Sequence, residues 1–200
     1  MIKSFKDKDT ESIFNQFPVR RLRSIEKVAL RKLMMLAAAV KPETLREPPG
    51  NHFEALHGDR AGQYSIRIND KYRICFTWNE GSGKRRNRGL PLRGEDNMKK
   101  IPMPTPGEIL LEEFLKPYGI SRNKLATDIR VPANRIGAII SGQREITADT
   151  AIRLGKYFRT GPEFWLNLQT LYNLRTAAEA MQSELKYIPE CGITPEPAFS

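Results

Sequence analysis

The sequence predicts an α+β protein of 200 residues, in which helices and an antiparallel hairpin come first and helices alone follow. Polar and apolar residues alternate along two successive segments within residues 64–78, which is the pattern of two half-buried strands. Apolar residues recur at helical spacing from residue 105 to residue 174, behind several capping signals. The two regions therefore predict two domains of different class, over residues 1–80 and 98–186.

Residues 81–97 separate the two predicted domains. They contain four glycines and five lysines or arginines and show no apolar period, which is typical of a flexible linker. Met98 then begins a segment that resembles the natural start of a protein, so we interpret the chain as a fusion of two neighbouring genes, natural or engineered. The proline-rich residues 187–200 are predicted to form a disordered tail.

The net charge of +10 lies mostly in the first domain, since residues 1–97 hold 20 Lys and Arg against 12 Asp and Glu. A basic surface favours polyanionic partners because binding releases counterions, although a generally solvated basic surface is the alternative.

Cys75 and Cys191 are too isolated for a disulfide framework or a metal pair, and no cofactor is expected. Without a long apolar run or a signal-peptide core, we expect a cytoplasmic protein with no membrane partner.

The first 50 residues are predicted to hold a short strand over residues 1–5, a helix over 7–17 and a long helix over 19–40. Apolar residues of the long helix recur every three to five positions. Six cations occupy the rest of its surface: Arg20, Arg21, Arg23, Lys27, Arg31 and Lys32. A solvated helix face accounts for these cations about as well as a binding surface does.

Parity fixes the pairing of the two predicted strands, because both apolar sets must share one face. A three-residue loop over residues 69–71 satisfies this condition and pairs Ile66 with Ile74. The same register places Arg67 directly opposite Arg73 on the other face. Like charges facing each other are unfavourable, so we expect a carboxylate or a bound phosphate nearby, unless the two side chains spread apart into solvent.

His52 and His57 lie just before this hairpin. A histidine can move protons near neutral pH, but two histidines alone make no zinc site, and no metal is expected. A loop histidine is more often incidental than catalytic, so both readings stay open.

The run LHGDRAGQYSIRINDKYRICF over residues 56–76 resembles the HigB branch of the RelE-like toxins. The resemblance covers residues 1–80 and implies helices packed on a twisted antiparallel sheet. It also implies a metal-independent endoribonuclease that cuts mRNA on the ribosome. In such enzymes the RNA 2′-OH attacks its own phosphate, while the protein supplies a base, an acid and cations.

By this resemblance, Arg73 matches the catalytic arginine and Arg67 is a phosphate contact. His57 stands where many relatives carry a lysine, and His52 is the weaker candidate. Relatives end on a further strand near an Asp-Tyr-His run, which supplies a catalytic aromatic residue or histidine. Residues 81–97 read GSGKRRNRGLPLRGEDN, without Tyr, His or an alternating pattern. We therefore predict that the last strand is absent and that catalysis is impaired.

Residues 121–147 predict two short helices joined by a tight turn, with Gly142 ending the second. Apolar spacing identifies their buried sides: Leu125, Ala126, Ile129, Ile136 and Ile139. The opposite side of the second helix carries small and polar residues that suit base edges in a DNA major groove: Ala133, Asn134, Arg135 and Ser141. We therefore interpret this unit as a helix-turn-helix of the lambda-repressor-like class.

Residues 98–180 resemble the HigA antitoxins of the XRE family through the runs PGEILLEEFL, VPANRI, SGQREITADTAIRL and GPEFWLNLQ. The resemblance implies a homodimeric repressor that binds the operator DNA of its own operon and holds the toxin inactive. Carried over by position, it places Ala133, Asn134 and Arg135 on bases. It places five more residues near backbone phosphates: Ser121, Asn123, Ser141, Gln143 and Arg144.

Three functions remain open at this stage. The first is a toxin–antitoxin fusion that represses its operon and neutralises an impaired nuclease, through contacts within or between chains. The second is an active ribosome-dependent mRNA endonuclease, restrained by a tethered antitoxin at an effective concentration of roughly millimolar. The third, a transcription regulator with an N-terminal ligand sensor, is disfavoured because the first half shows no ligand-pocket signature beyond its basic hairpin.

Overall fold

The computed structural model describes residues 2–79, 100–189 and 191, so the predicted linker and most of the predicted tail lie outside the described residues. Residues 2–79 contain two α-helices and a three-stranded antiparallel sheet in the order β1-β2-β3. The helices are α1 (Lys8–Phe14) and α2 (Glu26–Ala38), and the strands are β1 (Glu54–Ala55), β2 (Gln63–Arg67) and β3 (Arg73–Thr77). This arrangement, with the helical second half, confirms the predicted α+β class.

Residues 100–189 contain helices and no described strand. Helix α3 is continuous through three segments, Pro106–Ile109, the π-helical Leu110–Leu115 and Lys116–Tyr118. It is followed by α4 (Arg122–Asp128), α5 (Ala133–Ile140), α6 (Ala148–Tyr157), α7 (Pro162–Ala180) and α8 (Gln182–Leu185). None of the helices in the described residues is long and apolar enough to cross a membrane.

The predicted strand over residues 1–5 is wrong for the residues that the structure describes. Residues 2–5 pair with no strand, and Phe5 instead packs on Phe14, with ring centroids 5.2 Å apart. The short segment therefore contributes an aromatic contact to α1, not an edge to the sheet.

The predicted long helix over residues 19–40 is also wrong at its start, because α2 begins only at Glu26. Before it, Leu22 N donates to Val19 O at 2.8 Å and Ile25 N donates to Leu22 O at 2.9 Å. Bonds between residues three apart belong to 3₁₀ turns. The three-residue spacing of Val19, Leu22 and Ile25 therefore reflects 3₁₀ turns and not an α-helix.

The hairpin has the register that parity predicted. Ile66 pairs with Ile74, and Arg67 pairs with Arg73. Asn69 closes the loop, since its Oδ1 accepts hydrogen bonds from Lys71 N at 3.0 Å and from the following backbone N–H at 2.9 Å. Both arginines therefore lie on the same face of the sheet.

From Leu30 to its end, helix α2 is buried on all sides. Every residue from Leu30 to Ala39 except Arg31 is buried. One side of α2 packs against α1 and β3, and another side packs against α7 of the second half. The buried apolar residues of both halves consequently form one continuous core.

Candidate functional site

An open cavity of about 340 Å³ lies beside the hairpin. Six residues line it: His52, Glu54, Arg67, Asn69, Asp70 and Arg73. Arg67 and Arg73 are neighbours across the two strands, as the register requires. Two guanidinium groups beside an open cavity can bind a phosphate and stabilise charge that develops on it.

Three groups hold Arg73 in place. Its Nε donates to Ser65 Oγ at 2.9 Å, and Ser65 is completely buried. Its Nη2 donates to the backbone carbonyl of His52 at 2.5 Å and lies 3.1 Å from Glu54 Oε2. The guanidinium is therefore oriented by the neutral oxygens of Ser65 and His52 and by the carboxylate of Glu54.

The predicted carboxylate beside the arginines is present. Glu54 pairs with Arg73, and Asp70 pairs with Arg67. Both carboxylate side chains are more than half exposed, at 57% for Glu54 and 86% for Asp70. Exposed pairs of this kind contribute only ~0–1 kcal/mol, so a phosphate can replace either carboxylate at little cost.

The two histidines are placed differently. His52 lines the cavity, whereas His57 is exposed in the turn after β1 and does not line it. The structure thus brings Arg67 and Arg73 together and leaves His57 apart from them. Sequence reasoning missed Glu54, because only the pairing of β1 with β2, Glu54 opposite Ser65, brings it beside the arginines.

The helix-turn-helix forms as predicted from α4 and α5. Ser121 caps α4, with its Oγ accepting from Lys124 N at 3.1 Å. Arg130, in the turn between α4 and α5, lies in the left-handed region with a φ of 57°. Gly142, which follows the end of α5, lies in the same region with a φ of 73°. All five apolar residues assigned to the buried sides are buried: Leu125, Ala126, Ile129, Ile136 and Ile139.

The side of α5 that was predicted to face DNA is open to solvent at its start. Ala133 and Asn134 are exposed. All five predicted phosphate contacts are exposed too: Ser121, Asn123, Ser141, Gln143 and Arg144. Small and polar side chains are therefore exposed at both ends of α5 and at the start of α4.

Arg135 differs from its neighbours on α5. Its side chain is 22% exposed and forms an ion pair with Asp149 at the start of α6. Asp149 also accepts from Arg153 Nε at 2.9 Å. The hydrogen bond from Arg153, and then that from Arg135, lowers the pKa of Asp149. Arg135 must exchange this partner before its guanidinium can contact a base.

A buried charge cluster joins the two halves of the chain. This docking cluster consists of Arg31 and Lys32 on α2 with Glu108 and Glu113 on α3. Lys32 Nζ pairs with Glu113, whose other oxygen lies 2.8 Å from Arg31 Nε. Lys32 and Glu113 are only 3% and 4% exposed. The solvated-face reading of the α2 cations is therefore wrong for Arg31 and Lys32.

Burial affects the two cations of the docking cluster differently. It lowers the pKa of Lys32, and the charge and hydrogen bond of Glu113 offset this effect only in part. For Arg31, burial also acts to lower the pKa, but Glu113 and Glu108 together raise it. Removing one partner of a buried ion pair typically costs ~3–5 kcal/mol, so Glu113 is essential to this contact.

A second contact between the halves involves α7. Arg175 Nη1 donates to the backbone carbonyl of Phe14 at 2.6 Å, and its Cζ lies 3.9 Å from the Phe14 ring centroid. Burial lowers the pKa of Arg175 to about 10. Asn167 Nδ2 donates to Ala38 O, at the end of α2, at 3.1 Å. The second half thus holds both α1 and α2.

Comparison with known proteins matches the two halves of the chain to different families. A family described as "RelE-like toxin of type II toxin-antitoxin system HigB" matches residues 3–85, and a helix-turn-helix family matches residues 111–165. Toxin HigB-1 of Vibrio cholerae is 45% identical over 40% of this chain and 87% of its own length. Antitoxin HigA-1 of the same organism is 38% identical over 41% of this chain and 77% of its own length. This chain joins a member of the HigB toxin family to a member of the HigA antitoxin family.

Other proteins resemble the chain to a similar extent. Virulence-associated protein I of Dichelobacter nodosus is 48% identical over 45% of the fusion and 83% of its own length. A solved structure, Pseudomonas aeruginosa antitoxin HigA with the higBA promoter, is 44% identical over 44% of this chain and 97% of that chain, with a TM-score of 0.43. Because the first half belongs to the HigB family and the second to the HigA family, the docking cluster and the Arg175 contact join a HigB-like half to a HigA-like half.

Proposed function

We propose that the HigA-like half, over residues 98–186, binds the operator DNA of its own operon as a homodimer and represses it. In the same chain it holds the HigB-like half, over residues 1–80, in a docked and inactive form. The observation that carries this proposal is the exposed start of α5, where Ala133 and Asn134 stand free of the protein core.

The chemistry of this surface suits duplex DNA. An asparagine can donate to and accept from an adenine edge in the major groove, while alanine permits close approach to a thymine methyl group. Hydroxyl, amide and guanidinium groups near the ends of the helix suit phosphate oxygens. These groups would set the register of α5 in the groove.

Docking of the two halves leaves this surface free. The contacts that hold the HigB-like half come from Ile101, α3 and α7, and include those of Glu113, Asn167 and Arg175. The start of α5 contributes none of these contacts. Operator binding and toxin docking are therefore compatible in one chain. For the dimer contact we propose the exposed Leu166 and Leu174 on α7.

The test is gel retardation of DNA from the promoter region upstream of the gene. Asn134→Ala should weaken binding about 5- to 150-fold, because a bidentate base contact is worth ~1–3 kcal/mol. Asn79→Ala is the matched control, since Asn79 is an exposed asparagine in the HigB-like half. Equal affinity of the two variants would contradict the proposed base contact.

Arg144 separates phosphate contacts from base contacts in the same assay. Arg144→Ala should weaken binding to all DNA sequences and reduce the slope of log affinity against log salt by about 1. Lys6→Ala removes an exposed charge from the HigB-like half and should leave the slope unchanged. Equal slopes would exclude Arg144 as a phosphate contact.

A second candidate function is mRNA cleavage by the HigB-like half while it is docked. It is favoured by the cavity at Arg67 and Arg73, which stays open to solvent in the docked chain. The two arginines would bind the scissile phosphate, and His52, which lines the same cavity, would move the proton of the 2′-OH. We further propose that the last strand of the toxin fold is absent and that its absence slows this reaction; residues 81–97, where it would lie, are outside the described residues.

Cleavage is tested with the full chain in a cell-free translation reaction, with mRNA fragments as the readout. Arg73→Ala should abolish any fragments that the unchanged chain produces. Lys71→Ala removes an exposed loop cation next to the cavity and should have little effect. Absence of fragments from the unchanged chain would exclude this second function for the docked form.

A further inference from the structure

We propose that Lys32 and Asn51 form a relay through which docking of the HigA-like half sets the position of Arg73. The inference rests on the proposed role of the Arg67–Arg73 cavity in binding RNA phosphate. It assigns to Asn51 a positioning role that nothing in its local sequence indicates. Inhibition of the HigB-like half then requires no antitoxin residue inside the cavity.

The relay begins at the docking cluster. Lys32 Nζ is almost completely buried and contacts two oxygens, one of Glu113 and Asn51 Oδ1, the latter at 2.7 Å. Glu113 belongs to the HigA-like half, whereas Lys32 and Asn51 belong to the HigB-like half. A buried ammonium group requires a compensating charge, so the position of Lys32 Nζ depends on Glu113.

The next step is the Asn51 side chain, which is completely buried. Its Oδ1 accepts from Lys32, and its Nδ2 donates to Leu45 O at 2.7 Å. The amide thus has a partner at each end. A buried polar group that loses its partner pays its full desolvation cost, so movement of Lys32 would oblige Asn51 to move as well.

The third step is the peptide that follows Asn51. His52 has a φ of 39° and a ψ of 56°, in the left-handed region that a residue with a side chain rarely adopts. Such a conformation persists only where its surroundings hold it. The buried Asn51 side chain anchors one end of this residue, and the bond from Arg73 to the His52 carbonyl holds the other.

The last step connects the strained residue to the cavity. Arg73 Nη2 donates to the His52 carbonyl at 2.5 Å, on the side of the guanidinium that faces Glu54. If Asn51 loses Lys32, His52 can relax and its carbonyl turns away from Arg73. Arg73, still bonded to Ser65 through Nε, can then turn its Nη2 toward a phosphate. Docking therefore keeps Arg73 bound to its own backbone.

The experiment uses the full chain and nuclear magnetic resonance of arginine guanidinium N–H groups. In Glu113→Gln, the Arg73 Nη2–H signal should shift and its exchange with water should quicken at least tenfold, because the bond from Nη2 to the His52 carbonyl is lost. Glu108→Gln is the matched control, because Glu108 pairs with Arg31 and does not contact Lys32. It should leave the Arg73 signal unchanged.

A second variant guards against simple undocking or unfolding. Lys32→Met with Glu113→Leu replaces the ion pair by apolar side chains, which commonly preserve a buried contact. The Arg175 signals, displaced by the Phe14 ring 3.9 Å away, report whether the halves stay docked. With those signals unchanged, the Arg73 signal should still move, because Asn51 has lost its donor.

Two results would overturn the relay. One is an Arg73 signal that is unchanged in the apolar double variant while the halves remain docked. The other is an equal response of Arg73 to Glu108→Gln and Glu113→Gln. Neither readout depends on DNA binding or RNA cleavage, so failure of the relay is distinguishable from failure of the proposed function.

Discussion

Asp128, at the end of α4, accepts hydrogen bonds from two other side chains of the HigA-like half. Lys124 Nζ lies 2.6 Å from its Oδ1, and the Tyr157 hydroxyl lies 2.7 Å from its Oδ2. The hydrogen bond from Lys124, followed by that from Tyr157, lowers the pKa of Asp128. One carboxylate thereby ties the first helix of the helix-turn-helix to α6.

Tyr157 provides a pH-dependent test of this contact. Burial, followed by the hydrogen bond to Asp128, raises the pKa of Tyr157 from 10.0 to about 12. Because the folded pKa exceeds the unfolded one, the stability that Tyr157 contributes is complete below pH 10 and is lost as the pH rises through 12. Absorbance titration should show that Tyr157→Phe removes a tyrosine that ionises near pH 12.

The Asp128 carboxylate provides the control for that titration, because it accepts the hydrogen bond of the Tyr157 hydroxyl. Asp128→Asn should lower the pKa of Tyr157 by removing the carboxylate charge. A Tyr157 whose pKa is unchanged in Asp128→Asn would contradict the assigned contact.

At the scale of elements, local rules predicted some features and missed others. Alternation and parity were sufficient to predict the register of the hairpin. Its two strands are adjacent in sequence, and the loop allows one register in which both apolar sets face the core. The same reasoning placed Arg67 beside Arg73. The start of α2 was mispredicted, since apolar spacings of three and of three to four residues are similar over one or two turns.

Local sequence rules did not predict the contacts between helices. Helices α3 and α5 approach so closely that a Cβ on Gly107 would lie 1.8 Å from Ile139 O. No sequence pattern distinguishes this glycine from Gly137 on α5, where an added Cβ meets nothing within 4 Å. The two glycines therefore offer a paired measurement.

Gly107→Ala should lower the free energy of unfolding by about 3 kcal/mol, because the new methyl group meets backbone that cannot give way locally. Gly137→Ala should raise it by ~0.5–1 kcal/mol, since alanine is the better helix former. Urea denaturation of the full chain measures both. A Gly107→Ala variant as stable as Gly137→Ala would contradict the close approach of α3 and α5.

At the scale of the whole molecule, the sequence predicted two halves but not the way they dock. Arg31 and Lys32 were indistinguishable from the exposed cations around them, and Glu113 lies 81 residues beyond Lys32. Periodicity contains no information about a contact of that range. The exposure of Ala133 and Asn134 was easier to predict, because the motif that contains them is local, but the Arg135–Asp149 ion pair was not visible in that motif.

The burial of α2 on all sides leads to a prediction about the separate halves. A chain of residues 1–79 would expose the side of α2 that packs on α7 and leave Lys32 without Glu113. It should aggregate or lose cooperative unfolding, as measured by light scattering and thermal denaturation. Residues 98–186 alone should stay folded, because Phe114, Phe164 and Trp165 supply a buried aromatic core of their own.

Adding residues 98–186 to residues 1–79 during refolding should restore a soluble complex. Glu113→Gln in the added half should reduce the yield, and Glu108→Gln should reduce it much less, because Glu108 is partly exposed. A monomeric, cooperatively folded chain of residues 1–79 would contradict the dependence of α2 on α7.

The all-round burial of α2 also orders events during synthesis on the ribosome. More than 120 residues separate the end of α2 at Ala38 from the start of α7 at Pro162. At ~5–20 residues translated per second, α2 waits roughly 6–25 s for the helix that covers it. We therefore expect the HigB-like half to complete its fold only after the HigA-like half has emerged from the ribosome.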